Sequence, residues 1–292
     1  REGAPFDGSR VNAVAFGIAK HWTLDIRKFR NDVFTPASLI ANGSMDENMA
    51  DFLQALVLAR MNIVIEGGTG SGKTTLLNAL SNYIPDDQRI ITVEDTAELN
   101  LAKTHVLSLQ SRPANNEGKG EITLQQLVIN TLRQRPDRIV VGECRGPEAF
   151  DMLQAMNSGH DGSLTTTHAN NPRAALDRLQ NLVQMSRAGA NMPPDAIMKI
   201  ITEAVDFVVE IKRLPDGSRR VNNICEVCGM QGNVPTIGSI MKFQKTGVDG
   251  NGRIMGEFRP TGSRIVSEEH KERFYSNGIE IKPEWFYNGG LW

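Results

Sequence analysis

The sequence is poor in cysteine, with only 3 in 292 residues. Three thiols cannot make a fully paired disulfide framework, and a reducing compartment is the simpler expectation. It has no apolar run near the roughly 20 residues that a membrane-spanning helix needs. It lacks a charge excess: 32 Lys and Arg stand against 34 Asp and Glu, for a net charge of -2. That argues against wholesale coating of nucleic acid and leaves room for a local basic patch. There is no internal repeat and no low-complexity tract. The chain starts at Arg1 without a signal-like apolar region, and a fragment or processed product is expected. Hydrophobic residues make up 40% and charged residues 23%, which is globular composition with enough length for a sizeable core.

The local patterns divide the chain. In residues 1–34, Asp7-Gly8-Ser9 reads as a hairpin turn, Arg10 to Val14 as a strand, and Trp22 to Phe29 as another. Two such pieces do not make a stable domain, so this stretch is expected to be the remnant of an N-terminal domain and its linker. Residues 35–230 alternate strands and helices. Thr35-Pro36 opens a short helix. Ser44 and Glu47 have capping-box spacing before Met49, Phe52, Leu53, Leu56 and Val57, an amphipathic set. Short apolar strands at 63–65, 89–93, 139–141 and 163–167 alternate with helical patterns. The expected fold is therefore α/β, with a mostly parallel sheet covered on both faces. Pro215-Asp216-Gly217 marks a hairpin. In residues 231–292 glycines are frequent and helical signal is sparse, so an irregular segment packed on the preceding α/β core is expected. The terminal aromatics Trp285, Phe286, Tyr287 and Trp292 are expected to fold back onto that core.

One motif carries specific chemistry. Gly67-Gly68-Thr69-Gly70-Ser71-Gly72-Lys73-Thr74 fits G-x-x-x-x-G-K-[ST], with an apolar strand before it and a helix after it. The glycines let backbone N–H groups turn inward around phosphate oxygens. Lys73 supplies a cation to the β- and γ-phosphates, Thr74 offers a hydroxyl to Mg²⁺, and the helix start adds a positive dipole. ATP with Mg²⁺ is the cofactor set this implies. Glu143 ends the apolar strand Ile139-Val140-Val141, where an acid of a P-loop enzyme holds the metal or polarises the attacking water. Glu94, Asp95 and Glu98 stand at the end of another strand, and strand C-terminal ends converge on the ligand crevice. Surface carboxylates are the alternative reading of that group, and the lesser one. Arg112, Arg133, Arg135 and Arg145 are candidates to neutralise transition-state charge, from the same or a neighbouring subunit. His160 and His168 flank the Thr-rich strand 163–167. Cys225-x-x-Cys228 is not read as zinc, because no second ligand pair exists. Cys144 is read as packing filler.

Taken together, the P-loop, Glu94-Asp95-Thr96-Ala97-Glu98, the 133–138 arginine run, Gly142-Glu143-Cys144-Arg145-Gly146 and Gly159-His160 through Thr167-His168-Ala169-Asn170 resemble an ATPase of the type II/type IV secretion superfamily. Residues 115–121, 148–157 and 226–229 resemble most the CpaF-like ATPases of tight-adherence (Flp/Tad) pili. The resemblance implies a RecA-like P-loop domain in a homo-hexameric ring on the cytoplasmic face of the inner membrane. The ring would act with a membrane platform protein, with no nucleic acid as partner. It further implies that residues 67–75, Thr75 included, hold the nucleotide and that Glu143 is the Walker B acid. Glu94 and Glu98 would be acidic-box carboxylates, with Glu98 in the water-activating role, and His168 the His-box residue. Arg27, in Ile26-Arg27-Lys28-Phe29, would reach the nucleotide from the N-terminal side. The competing readings are a nucleic-acid translocase or recombinase on the same core, disfavoured by net charge -2, and a non-catalytic scaffold, disfavoured by the presence of Lys73, Thr74 and Glu143 together.

Overall fold

The computed structural model describes residues 9–28 and 34–287. The chain divides into two compact units, residues 1–33 and 34–292. In the first, β1 (Arg10–Val14) pairs antiparallel with β2 (Thr23–Arg27), Arg10 opposite Arg27 and Val14 opposite Thr23. The turn expected at Asp7-Gly8 and the end of the strand at Phe29 lie outside the described residues.

The second unit opens with α1 (Pro36–Ala41), where Thr35 and Ser38 cap one another reciprocally. Then comes α2 (Glu47–Leu58). Its cap is Asp46, whose carboxylate accepts from the Met49 N–H at 2.8 Å, and not the expected Ser44–Glu47 pair. Asp46 stands directly before the first helical residue, and the Ser44 hydroxyl is turned to Asn42 Oδ1 at 2.6 Å. The chain continues through β3 (Ile63–Glu66), α3 (Lys73–Ser81), β4 (Ile90–Glu94), β5 (Val106–Gln110), α4 (Leu124–Thr131) and β6 (Arg138–Val141). It goes on through α5 (Glu148–Asn157), β7 (Leu164–Thr167), α6 (Pro172–Gln184), α7 (Pro194–Ala204), β8 (Phe207–Arg213) and β9 (Arg219–Gln231). Thr123 and Gln126 form the capping box expected for α4.

Segment 231–292 departs from expectation. It carries β10 (Val234–Val248), β11 (Ile254–Pro260) and α8 (Glu268–Ser276), followed by a short turn of helix at Pro283–Trp285. Three of the glycines that read as loop, Gly238, Gly247 and Gly256, sit inside paired strands. Gly256 faces the Phe243 ring and the Gln244 carbonyl, where a Cβ would collide with both.

One 9-stranded sheet runs β11-β10-β9-β8-β3-β7-β6-β4-β5. From β8 to β5 the strands are parallel, and β9, β10 and β11 continue antiparallel. The α/β fold with a mostly parallel sheet is thus as the alternation predicts. Side chains of alternate parity feed two cores. Ile63, Ile65, Phe207 and Val209 pack with α2, α3, Phe274 and Trp285 on one face. Val64, Val208, Ile139 and Val141 pack with α4 to α7 on the other. Both faces are covered, which is why these strands read as unbroken apolar runs. Trp285 and Phe286 are buried against Phe52, while Trp292 lies outside the described residues. Among the described residues no helix is long and apolar enough to cross a membrane.

Candidate active site

The C-terminal ends of β3, β4, β6 and β7 meet at the loop between β3 and α3. Gly70 and Gly72 take positive φ of 70° and 103°, which side-chain-bearing residues rarely adopt. Gly67 is held for a different reason: a Cβ there would collide with the Ile211 carbonyl and Ser71 Oγ. The Ser71 hydroxyl is buried with no partner among the described residues, a donor left over for a phosphate oxygen. Thr69 sits exposed at the loop tip, while Thr74 and Thr75 are half-buried in the first turn of α3. The loop geometry, Lys73 and the idle Ser71 hydroxyl fit a nucleotide polyphosphate. Thr74 and Glu143 are the residues that would hold Mg²⁺ beside it.

Lys73 is buried, and its Nζ donates to the Gly67 carbonyl at 3.0 Å and the Gly68 carbonyl at 3.3 Å. It also lies 3.2 Å from His168 Nδ1. On the other side of the ring, His168 Nε2 is 3.1 Å from Glu143 Oε1. A neutral imidazole with its proton on Nε2 satisfies both neighbours, accepting from the ammonium and donating to the carboxylate. His168 therefore bridges the loop lysine to the acid at the end of β6. Burial and the Lys73 charge hold the His168 ring below its usual pKa. Burial lowers Lys73 as well, with Glu143 pulling the other way. Burial would push the Glu143 carboxyl up, but the Arg145 hydrogen bond and charge, then His168 and Lys73, bring it below the usual carboxylate range.

Arg145 organises the acids. Its Nη2 donates to Glu143 Oε2 at 2.7 Å and its Nη1 is 3.5 Å from Asp95 Oδ2. Glu98 also acts on it electrostatically. Its own backbone is fixed by Glu148, whose Oε1 accepts from the N–H groups of Arg145 and Gly146 at 2.6 and 2.7 Å. The two acidic-box glutamates differ in place. Glu94 is buried and its Oε1 accepts from the N–H groups of Glu98 and Leu99 at 2.9 and 2.8 Å. Glu98 is half-buried on the side of Arg145.

The other candidates lie apart. Arg112 is exposed and its Nε donates to the Gly120 carbonyl at 2.8 Å. Arg133 is exposed beyond the end of α4. Neither makes a hydrogen bond or ion pair with the loop. His160 precedes β7 and His168 follows it, so the strand separates them to opposite edges of the sheet, and only His168 joins the site. Arg27 belongs to β2 of the first unit. The Cys144, Cys225 and Cys228 thiols are all pushed to about 12, in each case by burial first. Two participants escape sequence reasoning. Arg219, at the start of β9, donates from Nε to the Gly70 carbonyl at 3.0 Å, and no spacing rule links it to a loop so far upstream. Glu66 abuts the loop, and an acid ending an apolar strand directly before a phosphate loop is the signal that could have found it.

A glycine loop at a β-strand-to-helix junction, with a buried lysine and an acid two strands away, defines a P-loop α/β protein. Residues 10–269 match the family described as "Type II/IV secretion system protein", and the chain belongs to that family. A "putative conjugal transfer protein" of Mycobacterium tuberculosis is 39% identical over 229 residues, covering 78% of this chain and 64% of that protein. VirB11 of Agrobacterium fabrum is 40% identical over 162 residues, 55% of this chain and 46% of that protein. The aligned region thus spans less than two thirds of these relatives. The crystal structure of the VirB11 ATPase from the Brucella suis type IV secretion system, in complex with sulphate, superimposes with a TM-score of 0.55 at 30% identity. It covers 76% of this chain and 71% of that one.

Proposed function

We propose that this chain binds ATP with Mg²⁺ at residues 67–75 and hydrolyses it to drive a secretion or pilus-assembly machine. The observation that carries the reading is the Lys73–His168–Glu143 chain, which joins the loop cation to a carboxylate kept ionised at neutral pH. Lys73 would leave the loop carbonyls for the β- and γ-phosphates. Bound Mg²⁺ would draw charge from the phosphate oxygens, held by Thr74 and Glu143. Glu98 would orient and deprotonate the attacking water, and His168 would report the state of the phosphate site to Glu143. The Brucella VirB11 ATPase was crystallised in complex with sulphate, an anion with the size and charge of a phosphate group, which agrees with a phosphate-binding role for a protein of this fold.

The working unit in this reading is a homo-hexameric ring at the cytoplasmic face of the inner membrane, engaging a membrane platform protein. Arg112 and Arg133, exposed and away from their own loop, would face a neighbour's nucleotide, and Arg27 would reach a nucleotide from the N-terminal unit. Residues 115–121 and 226–229 favour a tight-adherence pilus. The names of the curated relatives favour conjugal transfer or type IV secretion as a second reading. The test is Mg²⁺-dependent phosphate release across a range of protein concentrations, with and without DNA. Activity should rise with self-association, ignore DNA and vanish in a folded Lys73→Ala variant. Wild-type turnover in that variant would remove the loop from the mechanism, and stimulation by DNA would favour a translocase.

A further inference from the structure

A row of polar side chains lies across the sheet beside the phosphate loop. Glu66 ends β3 immediately before Gly67, and the strand register sets it beside Thr167 of β7 and Glu210 of β8. Residues in register on neighbouring strands face the same side of a sheet. Glu66 has no exposed surface and Glu210 is 2% exposed. Neither oxygen of Glu66 has a hydrogen-bond partner among the described residues, and neither does the Thr167 hydroxyl. Glu210 is better served. Asn222 Nδ2 donates to its Oε2 at 2.5 Å, and Lys212 Nζ lies 2.6 Å from its Oε1.

Two adjacent carboxyls away from water cannot both ionise, so they hold one proton between them. Lys212 favours the charged form of Glu210, which leaves the proton on Glu66. Burial first, then the Glu210 charge, push Glu66 up to about 8, against the pull of Lys212 and Lys73. The groups facing the pair are thus Lys212 on β8, Lys73 on α3, and the uncharged Thr167, Asn222 and Cys225. The Cys225 thiol, at about 12, brings no charge at neutral pH.

Lys73 links this pair to the loop. Phosphates arriving at Lys73 bring negative charge toward Glu66 and make its ionisation harder still. We propose that the Glu66–Glu210 pair is a proton-binding site coupled to the phosphate loop: nucleotide binds with the pair singly protonated, and loss of that proton weakens binding. The proton comes from solvent and rests on the Glu66 carboxyl, with no other bond made or broken. The proposal rests on the nucleotide reading of residues 67–75.

Calorimetric titration of the full chain with MgADP from pH 7 to 9.5, in two buffers of different ionisation heat, tests it. The expected result is an affinity falling on the order of tenfold, the size of a carboxylate–phosphate repulsion across several ångströms at an intermediate dielectric. Net proton uptake on binding should accompany the fall. Glu66→Gln should bind at pH 9.5 as tightly as at pH 7 and take up no proton. Glu210→Gln, which removes the like charge, should move the fall to lower pH. Wild-type binding that is flat with pH, or buffer-independent heats throughout, overturns the coupling while leaving the nucleotide reading intact. A fall that survives in Glu66→Gln also overturns it and assigns the effect to Lys73. No MgADP binding at any pH would sink the nucleotide reading and the coupling together.

Discussion

The attachment of α8 should depend on a proton held by His270. The ring is 7% exposed and lies between two buried acids, Nδ1 at 2.8 Å from Glu226 Oε1 and Nε2 at 3.1 Å from Asp206 Oδ1. Each acid is otherwise engaged. Asp206 Oδ2 accepts from Arg273 and from the Asn62 N–H, and Glu226 accepts from the N–H groups of Val266 and Ser267. Both ring nitrogens therefore donate, and the ring is an imidazolium. Burial opposes that charge, but the hydrogen bonds to Asp206 and Glu226 and their charges outweigh it and raise His270 from 6.5 to about 9. At 1.36 kcal/mol per pH unit, the shift is worth about 3 kcal/mol of folding stability. The folded pKa is raised, so this contribution is complete below about pH 6.5 and disappears as pH climbs through about 9. Urea denaturation of wild type and His270→Gln at pH 6.5, 7.5 and 9.5 measures it. A glutamine can donate to one carboxylate but carries no charge to lose. The gap between the two proteins should shrink by about 3 kcal/mol from the lowest to the highest pH. Subtracting the variant removes other groups that titrate in this window, Glu66 among them. A gap that is constant with pH would refute the claim that the ring is held protonated.

Glu143→Gln keeps the shape of the side chain and an acceptor for Arg145 while removing the charge; MgATP binding should persist and turnover should fall by roughly 10²–10³-fold in a phosphate-release assay. Glu98→Gln should lower turnover with an unchanged melting curve, whereas Glu94→Gln should cost about 1–3 kcal/mol of stability, because its carboxylate holds two backbone N–H groups. A stable, inactive Glu94→Gln beside an active Glu98→Gln would transfer the water-activating role to Glu94. Gly162→Ala should destabilise by about 1–3 kcal/mol in urea, since its φ is +81° and a Cβ would collide with the buried Arg138 guanidinium. An unchanged midpoint would show that Arg138 has room to move.

The α/β class, the phosphate loop and the placing of Glu143 were legible in the sequence because each depends on local pattern. Apolar strands alternate with amphipathic helices, the loop motif is contiguous, and an acid at the end of a buried strand must lie at one edge of the sheet. Segment 231–292 was misread for the same reason. Its strands are held by pairing and by close contacts such as Gly256 under Phe243, and local propensity records neither. The capping of α2 turned on which of two neighbouring polar residues directly precedes the helix, a difference finer than the spacing rule. The candidate site itself divides along this line. Sequence supplied Lys73, Glu143, His168, Glu94 and Glu98 as separate motifs. Only the parallel register of β3, β6 and β7 set His168 between Lys73 and Glu143, turned Glu94 to the backbone and left Glu98 beside Arg145. The burial of Glu66 beside Glu210, the reach of Arg219 to Gly70 and the clasp on His270 join residues from 44 to 149 positions apart within one core. Such contacts follow from how the sheet is assembled, and no stretch of sequence read alone contains them.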